Sequence, residues 1–269
     1  MRILFYLILA SQLLLSEVYY SKVQPYKFKK ITSNVIGEVT FIDEDMLGKK
    51  LSKKPFLLID AEIDLAELTD VREKLVSLKD TLKLNQNVLH NLKEVLKRKR
   101  VNFKKTEALK IKSRIDKDRE FYDLVASENS FIATQKEVNS LKNSVADLEL
   151  REIQLKKSIR DKKGIQEGYM LYSLDVEEGQ VVTVGTPLAR VADISKALLT
   201  LYIDAEELQD IEKKSIYIDG KKTDYKILRL LRIADGINIS KYKVQIAIKA
   251  PKVFSQLVKV EFKGHNDEK

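Results

Sequence analysis

"EEGQVVTVGTPLARVADI", residues 177–194, alternates apolar and polar positions around Gly179 and Gly185, and Pro187-Leu188 opens a further run. Alternation of period two bounded by glycine turns is the pattern of short, half-buried strands. Yet residues 56–163, the 108 positions shortly before it, contain none of the chain's nine glycines and four prolines. A segment without the two strongest breakers points to helix. The β-stretch is therefore incomplete, and its partner strands must lie upstream of the helical segment.

Within that segment the apolar residues follow a heptad. Leu68, Val71, Leu75, Leu78, Leu82, Asn85, Leu89, Leu92, Leu96, Lys99 and Phe103 fall at alternating steps of three and four. A second series runs Leu124, Ser127, Phe131, Thr134, Val138, Leu141, Val145, Leu148, Glu152, Leu155 and Ile159. Each series gives one narrow apolar seam, as in a coiled coil. Between about 104 and 120 the seam lapses into charge. An antiparallel hairpin with its tip near 112–116 is expected, with Asp116 as N-cap of the second helix and Asp118 in its first turn. Each arm of about 50 residues would span roughly 75 Å.

A hairpin brings its flanks together, and the flanks match in sequence. At an offset of 131 residues Gly37 aligns with Gly168, Gly48 with Gly179, Leu51 with Val182 and Leu57 with Leu188. The series closes on Ala61-Glu62-Ile63 against Ala192-Asp193-Ile194. Constant spacing of this kind indicates two copies of one β-unit. The upstream copy, "VIGEVTFIDEDMLGKKLSKKPFLLIDAEI" (35–63), is the missing half, with Gly37, Gly48, Gly168, Gly179 and Gly185 at turn positions.

Composition removes most enzyme chemistry. The 269 residues include no Cys and only two His, His90 in the helical pattern and His265 in a polar tail. There is thus no thiolate nucleophile or Cys-based zinc site, and neither histidine has a partner in the pattern. No phosphate-binding glycine loop is present. No catalytic residue, cofactor or metal site is expected. Arg2 followed by the apolar run 3–15 and Glu17 reads as an export signal, 1–16. An uncleaved anchor is the alternative, and a bacterial periplasm suits a Cys-free exported chain.

Two half-motifs split by a long helical hairpin resemble the periplasmic adaptor proteins, also called membrane fusion proteins, of tripartite efflux pumps and type I secretion systems. "EEGQVVTVGTPLARVAD" is similar to the family's second half-motif. In the first, Pro55 and Phe56 stand where "G-x-P" would lie, so its second turn glycine is missing. The resemblance implies an α+β chain. A long antiparallel coiled-coil hairpin (61–163) is inserted into a split lipoyl-like β-sandwich (31–60 and 164–195), and a small β-barrel domain (196–264) follows. Residues 17–30 are expected to be an N-terminal linker and 265–269 a tail. A helix-like stretch, 205–214, and turns at Gly220 and Gly236 are expected in the barrel. The family's membrane-proximal domain is expected to be short or absent.

The resemblance also implies function. The chain would link an inner-membrane transporter of RND or ABC type to an outer-membrane channel of TolC type. It would self-associate into a ring and lie in the periplasm, associated with the inner membrane. The family's tip carries Arg, Leu and Ser or Thr for channel docking; Lys105, Leu109 and Asp116 occupy those positions. Lys lacks the bidentate fork of Arg, and Asp adds a negative charge. A covalent lipoyl or biotin group is not expected, because the helical insertion occupies the junction that would display its lysine.

Residues 93–119 hold twelve Lys or Arg against four acids, so +8 of the chain's net +9 sits near the tip. That charge suits steering to an acidic partner or a solvated coiled-coil surface. Nucleic acid is not expected as a partner of an exported chain. A periplasmic coiled-coil scaffold without a transport role is the alternative reading.

Overall fold

The structure, a computed structural model, describes residues 17–234, 238 and 240–264. The export signal at 1–16, the turn at Gly236, and the tail with His265 lie outside the described residues. In chain order the elements begin with β1 (Val18–Lys22), β2 (Gln24–Thr32), β3 (Gly37–Ile42) and β4 (Leu57–Ile59). Helices α1 (Glu62–Ala108) and α2 (Arg114–Asp161) follow, then β5 (Lys163–Gly164), β6 (Met170–Leu174), β7 (Val181–Val182) and β8 (Pro187–Asp204). The chain continues through β9 (Ser215–Ile218), β10 (Lys221–Thr223), β11 (Ile227–Ala234), β12 (Lys241–Lys249) and β13 (Leu257–Lys263). The chain is α+β. One compact unit comprises residues up to Ser33, Val39–Leu57 and those from Gly164 onward; the other comprises Asn34–Glu38 and Leu58–Lys163.

The helical unit is an antiparallel pair. Near the start of α1, Glu67 pairs with Arg151 and Arg72 with Glu152; near its end, Arg100 pairs with Glu128 and Lys99 with Asp123. The buried and half-buried residues of both helices include every position of the two heptad series. Leu68, Val71, Leu75, Val145 and Leu155 form a buried cluster extended by Leu78, Leu82, Leu148 and Ile159. At 1.5 Å per residue the 47 and 48 residues of the two helices give lengths of about 70 Å. Asn85 sits half-buried in the seam but donates to the Thr81 carbonyl of its own helix at 3.1 Å. At the opposite end from the turn, Asp64 accepts hydrogen bonds from Ser158 (2.5 Å) and lies 3.1 Å from the buried Lys162 ammonium. Burial is the largest influence and pushes the Asp64 carboxyl up. The Ser158 and Lys162 hydrogen bonds and the Lys162 charge outweigh it and hold the group below the ordinary carboxylate value.

In the sheet unit, the flanks of the helical segment interlock through backbone hydrogen bonds. Gly48 N–H donates to Leu171 O (2.8 Å), Leu51 N–H to Tyr169 O (2.7 Å) and Gly168 N–H to Leu51 O (3.0 Å). Gly179 N–H donates to Val39 O (2.8 Å), and Val39 N–H returns to Gln180 O (2.9 Å). Gly48 and Gly179, which align in the repeat, both lie in the left-handed region at φ 74° and 80° with open space where a Cβ would go. Each is required by its backbone conformation alone. The aligned apolar pairs Leu51 with Val182 and Leu57 with Leu188 are buried in both copies.

The repeat does not hold throughout. Gly168 is left-handed at φ 89°, whereas Gly37 opens β3 and is needed for space, because a Cβ there would lie 2.6 Å from Ile59 Cγ2. Ala61 is the N-cap of α1, while Ala192 is buried within β8. The shared Ala-acid-Ile endings thus enter different structures.

Strand β8 is the spine of the sheet unit. β6 pairs with its first part and β2 with residues from Pro187 to Leu198, while Lys196–Asp204 pair with β12. The boundary expected between 195 and 196 therefore falls inside one continuous strand of 18 residues. Ala197, Leu199, Leu201 and Ile203 are all fully buried at every second position, with Val244 and Ile246 of β12 in the same cluster. One sheet has the order β11-β12-β8-β2, a second β1-β13-β9-β10, and a third β5-β4-β3-β7.

Residues 17–30 are not a linker. β1 pairs with β13 from Val18↔Glu261 to Lys22↔Leu257, and β2 pairs with β8. β1 buries Tyr19 and Ser21 and exposes Val18 and Tyr20, so its polar serine faces inward. Ser21 is satisfied by donating to Thr200 O (3.0 Å) and accepting from Thr200 N–H (2.9 Å). Tyr19 OH donates to Glu17 at 2.5 Å and lies 3.1 Å from Glu207; burial and these carboxylates push its phenol well above the usual range. The expected helix at 205–214 is instead two 3-10 turns, Glu206–Leu208 and Ile211–Lys213, separated by Asp210 at φ 58°.

Candidate docking surface at the helix turn

The residues singled out in the sequence, Lys105, Leu109 and Asp116, lie at the turn between the two helices. Lys105 is in the last turn of α1, Leu109 is its C-cap in an extended conformation (φ −78°, ψ 123°), and Asp116 is in the first turn of α2. All three are exposed, Leu109 at 44%. The N-cap of α2 is Ser113, not Asp116. Its Oγ accepts from Asp116 N–H (3.2 Å) and donates to Asp116 Oδ2 (2.8 Å). This reciprocal pair satisfies a helix N–H left unpaired by the ladder and puts a carboxylate at the positive end of the helix dipole. A serine three residues before an acid is the capping-box pattern, and "SRID" at 113–116 carried it in the sequence. Asp118 consequently lies beyond the first turn.

The other helix terminus is closed in the same way. Leu109 N–H donates to Thr106 O (3.1 Å), and Lys117 Nζ reaches across the turn to the Glu107 carbonyl (2.9 Å). A cation on an orphan carbonyl complements the negative end of α1. Phe103 and Phe121 meet behind the turn with ring centroids 5.9 Å apart. The turn is thus fixed by capping and by one aromatic contact.

Its outer surface is apolar and basic at once. Ile111 is 92% exposed and Ile115 80% exposed. Lys99 and Arg100 are neutralised by Asp123 and Glu128. Among the described residues, Lys104, Lys105, Lys110, Lys112 and Arg114 make no ion pair. Part of the excess charge noted in the sequence therefore lies on the turn, and Lys93, Lys97 and Arg98 farther along α1 are likewise without an ion pair among the described residues. The two exposed isoleucines gave no signal in the heptad, because they fall where the seam lapses.

The five turn glycines lie elsewhere, in or beside the interlocked strands. Gly185 N–H donates to Ser33 O at 2.8 Å with φ 90°. His90 is exposed on α1.

No protein-family model and no curated protein matches the chain. Solved structures do. MacA from Actinobacillus actinomycetemcomitans is 17% identical with a TM-score of 0.66, over 92% of this chain and 78% of MacA. The membrane fusion protein Spr0693 from Streptococcus pneumoniae R6 is 9% identical with a TM-score of 0.63, over 93% of this chain and 99% of that protein. A MacA–MexA chimera carrying the Pseudomonas aeruginosa MexA α-hairpin domain is 14% identical with a TM-score of 0.60, over 92% and 80%. The identities are low, but the similarity takes in both the helical pair and the sheets. The chain has the fold of the membrane fusion, or periplasmic adaptor, proteins.

Proposed function

We propose that the chain is the adaptor subunit of a tripartite efflux or secretion system. It works without bond-making chemistry, as a coupler and part of an export conduit. Residues 31–60 and 164–195 form a split lipoyl-like β-sandwich, 61–163 a coiled-coil hairpin, and the strands of 196–264, joined by β1, a β-barrel domain. Copies of the chain associate through the sheet unit into a ring, which head-to-tail contacts generate when the rotation closes. An inner-membrane transporter of RND or ABC type and an outer-membrane channel are its partners, and the periplasm its location. Lys105 and Leu109 meet the channel, and Asp116 holds the turn in shape through Ser113.

The observation that carries this reading is the capped, solvent-exposed turn at the end of two helices of about 70 Å. That turn belongs to a chain that matches a membrane fusion protein over 93% of its length. Purification of the tagged chain from its own cells after mild crosslinking tests it. Recovery of a membrane transporter together with an outer-membrane channel is the expected result. Recovery of neither, with the chain at its normal level, refutes the adaptor role and leaves a coiled-coil scaffold.

A further inference from the structure

We propose that the helix turn is also a contact for an anionic lipid surface. Ile111 and Ile115 enter the outer part of the bilayer, and Lys110, Lys112 and Arg114 meet lipid phosphates. This goes beyond the adaptor reading and does not depend on it.

The stretch "LKIKSRI", 109–115, interleaves three aliphatic residues with three cations and contains no acid. Ile111 and Ile115 are 92% and 80% exposed, so neither contributes to the seam or to any core. The three cations make no ion pair among the described residues, whereas Lys99 and Arg100, farther from the turn, are paired at 2.8 Å. Lys117, which could have joined them, is spent on the Glu107 carbonyl. The turn backbone is held by Ser113 and Asp116, so insertion requires no rearrangement of the helices.

The choice of residue types favours lipid over a protein recess. Protein interface cores are enriched in aromatic residues and Arg and depleted in Lys, and their dominant anchors are Trp, Tyr and Arg. Residues 104–120 contain no aromatic residue, and five of their seven cations are Lys. Lysine presents a compact, hydrated point charge on a flexible stem, which suits a fluid layer of phosphates without fixed geometry. Aliphatic side chains beside such cations are the arrangement by which peripheral segments sit in a membrane interface.

The absence of cysteine allows a local readout that membrane association through another segment would not produce. Ala108→Cys carries an environment-sensitive fluorophore beside the turn, and Lys83→Cys carries it at an exposed mid-helix site. Each full-length chain is titrated with vesicles of phosphatidylethanolamine and phosphatidylglycerol, and separately with phosphatidylcholine vesicles. A blue shift at 108 but not at 83, on the anionic vesicles only, is the expected result. The affinity read at 108 falls about fivefold for each of Lys110→Gln and Lys112→Gln. It falls roughly tenfold or more for Ile111→Ser with Ile115→Ser. No shift at 108 on anionic vesicles overturns the proposal and makes a protein the counter-surface. A shift that survives the double isoleucine variant, or is equal on both vesicles, overturns it as well.

Discussion

Replacing Leu75 by Ala probes the helical pair within its buried cluster. Leu75 is 5% exposed and belongs to the cluster of Leu68, Val71, Val145 and Leu155. Core Leu→Ala changes cost about 2–5 kcal/mol. A seam between only two helices can partly collapse onto the cavity, so roughly 2–3 kcal/mol is expected here. Leu82 is half-buried, and its truncation should cost about half as much, in proportion to the apolar area lost. Leu84, 66% exposed, should change stability by less than about 0.5 kcal/mol, since Ala is also the better helix former. The two compact units make a single unfolding free energy ill-defined, so local hydrogen exchange is the appropriate assay. Peptides from Glu62–Ala108 and Arg114–Asp161 should exchange roughly 30- to 150-fold faster in Leu75→Ala. The Leu82→Ala chain should be intermediate and the Leu84→Ala chain unchanged. Equal acceleration by Leu84→Ala and Leu75→Ala would refute the assigned seam.

Three further outcomes follow from individual contacts. Ser113→Ala removes the α2 cap and should cost about 1 kcal/mol, read as faster exchange confined to the first turn of α2. Gly37→Ala forces a Cβ against Ile59 and should cost about 1–3 kcal/mol, while Gly37→Ala combined with Ile59→Ala should cost less than the sum of the two. Asp64 has a lowered pKa in the fold, so its contribution is present above the ordinary carboxylate value of 3.8 and is lost as pH falls through the lower folded value. Exchange protection near Ser158 and Lys162 should hold at neutral pH and decline below about pH 4, and Asp64→Asn should flatten that decline.

The helical half of the molecule was legible because its physics is periodic. A narrow seam between two helices forces apolar residues to steps of three and four, and that spacing survives in sequence from Leu68 to Ile159. The left-handed turns at Gly48 and Gly179 were legible for a similar reason, since few other residues adopt that conformation. β1 was illegible because it buries Ser21 and exposes Val18 and Tyr20, reversing the usual sign of the alternation. β8 hid its continuity because Asp193, Ser195 and Lys196 interrupt its apolar run where its pairing with β6 ends and that with β12 begins, with β2 paired across the junction. The cap at Ser113 carried a readable pattern, but Asp116 is an equally good cap by residue type, and only the backbone at 113 (φ −64°, ψ 155°) decides between them. The exposure of Ile111 and Ile115 depends on where the turn falls, which the heptads bracket without locating.

Site-specific crosslinking at the turn tests the proposed docking most directly. A single cysteine at Leu109, in a chain that has no other, is crosslinked in living cells and compared with one at Leu84 in mid-helix. The adaptor reading predicts an adduct between residue 109 and an outer-membrane channel, absent from residue 84. Normal expression with no channel adduct at 109, or equal adducts at both positions, would contradict it.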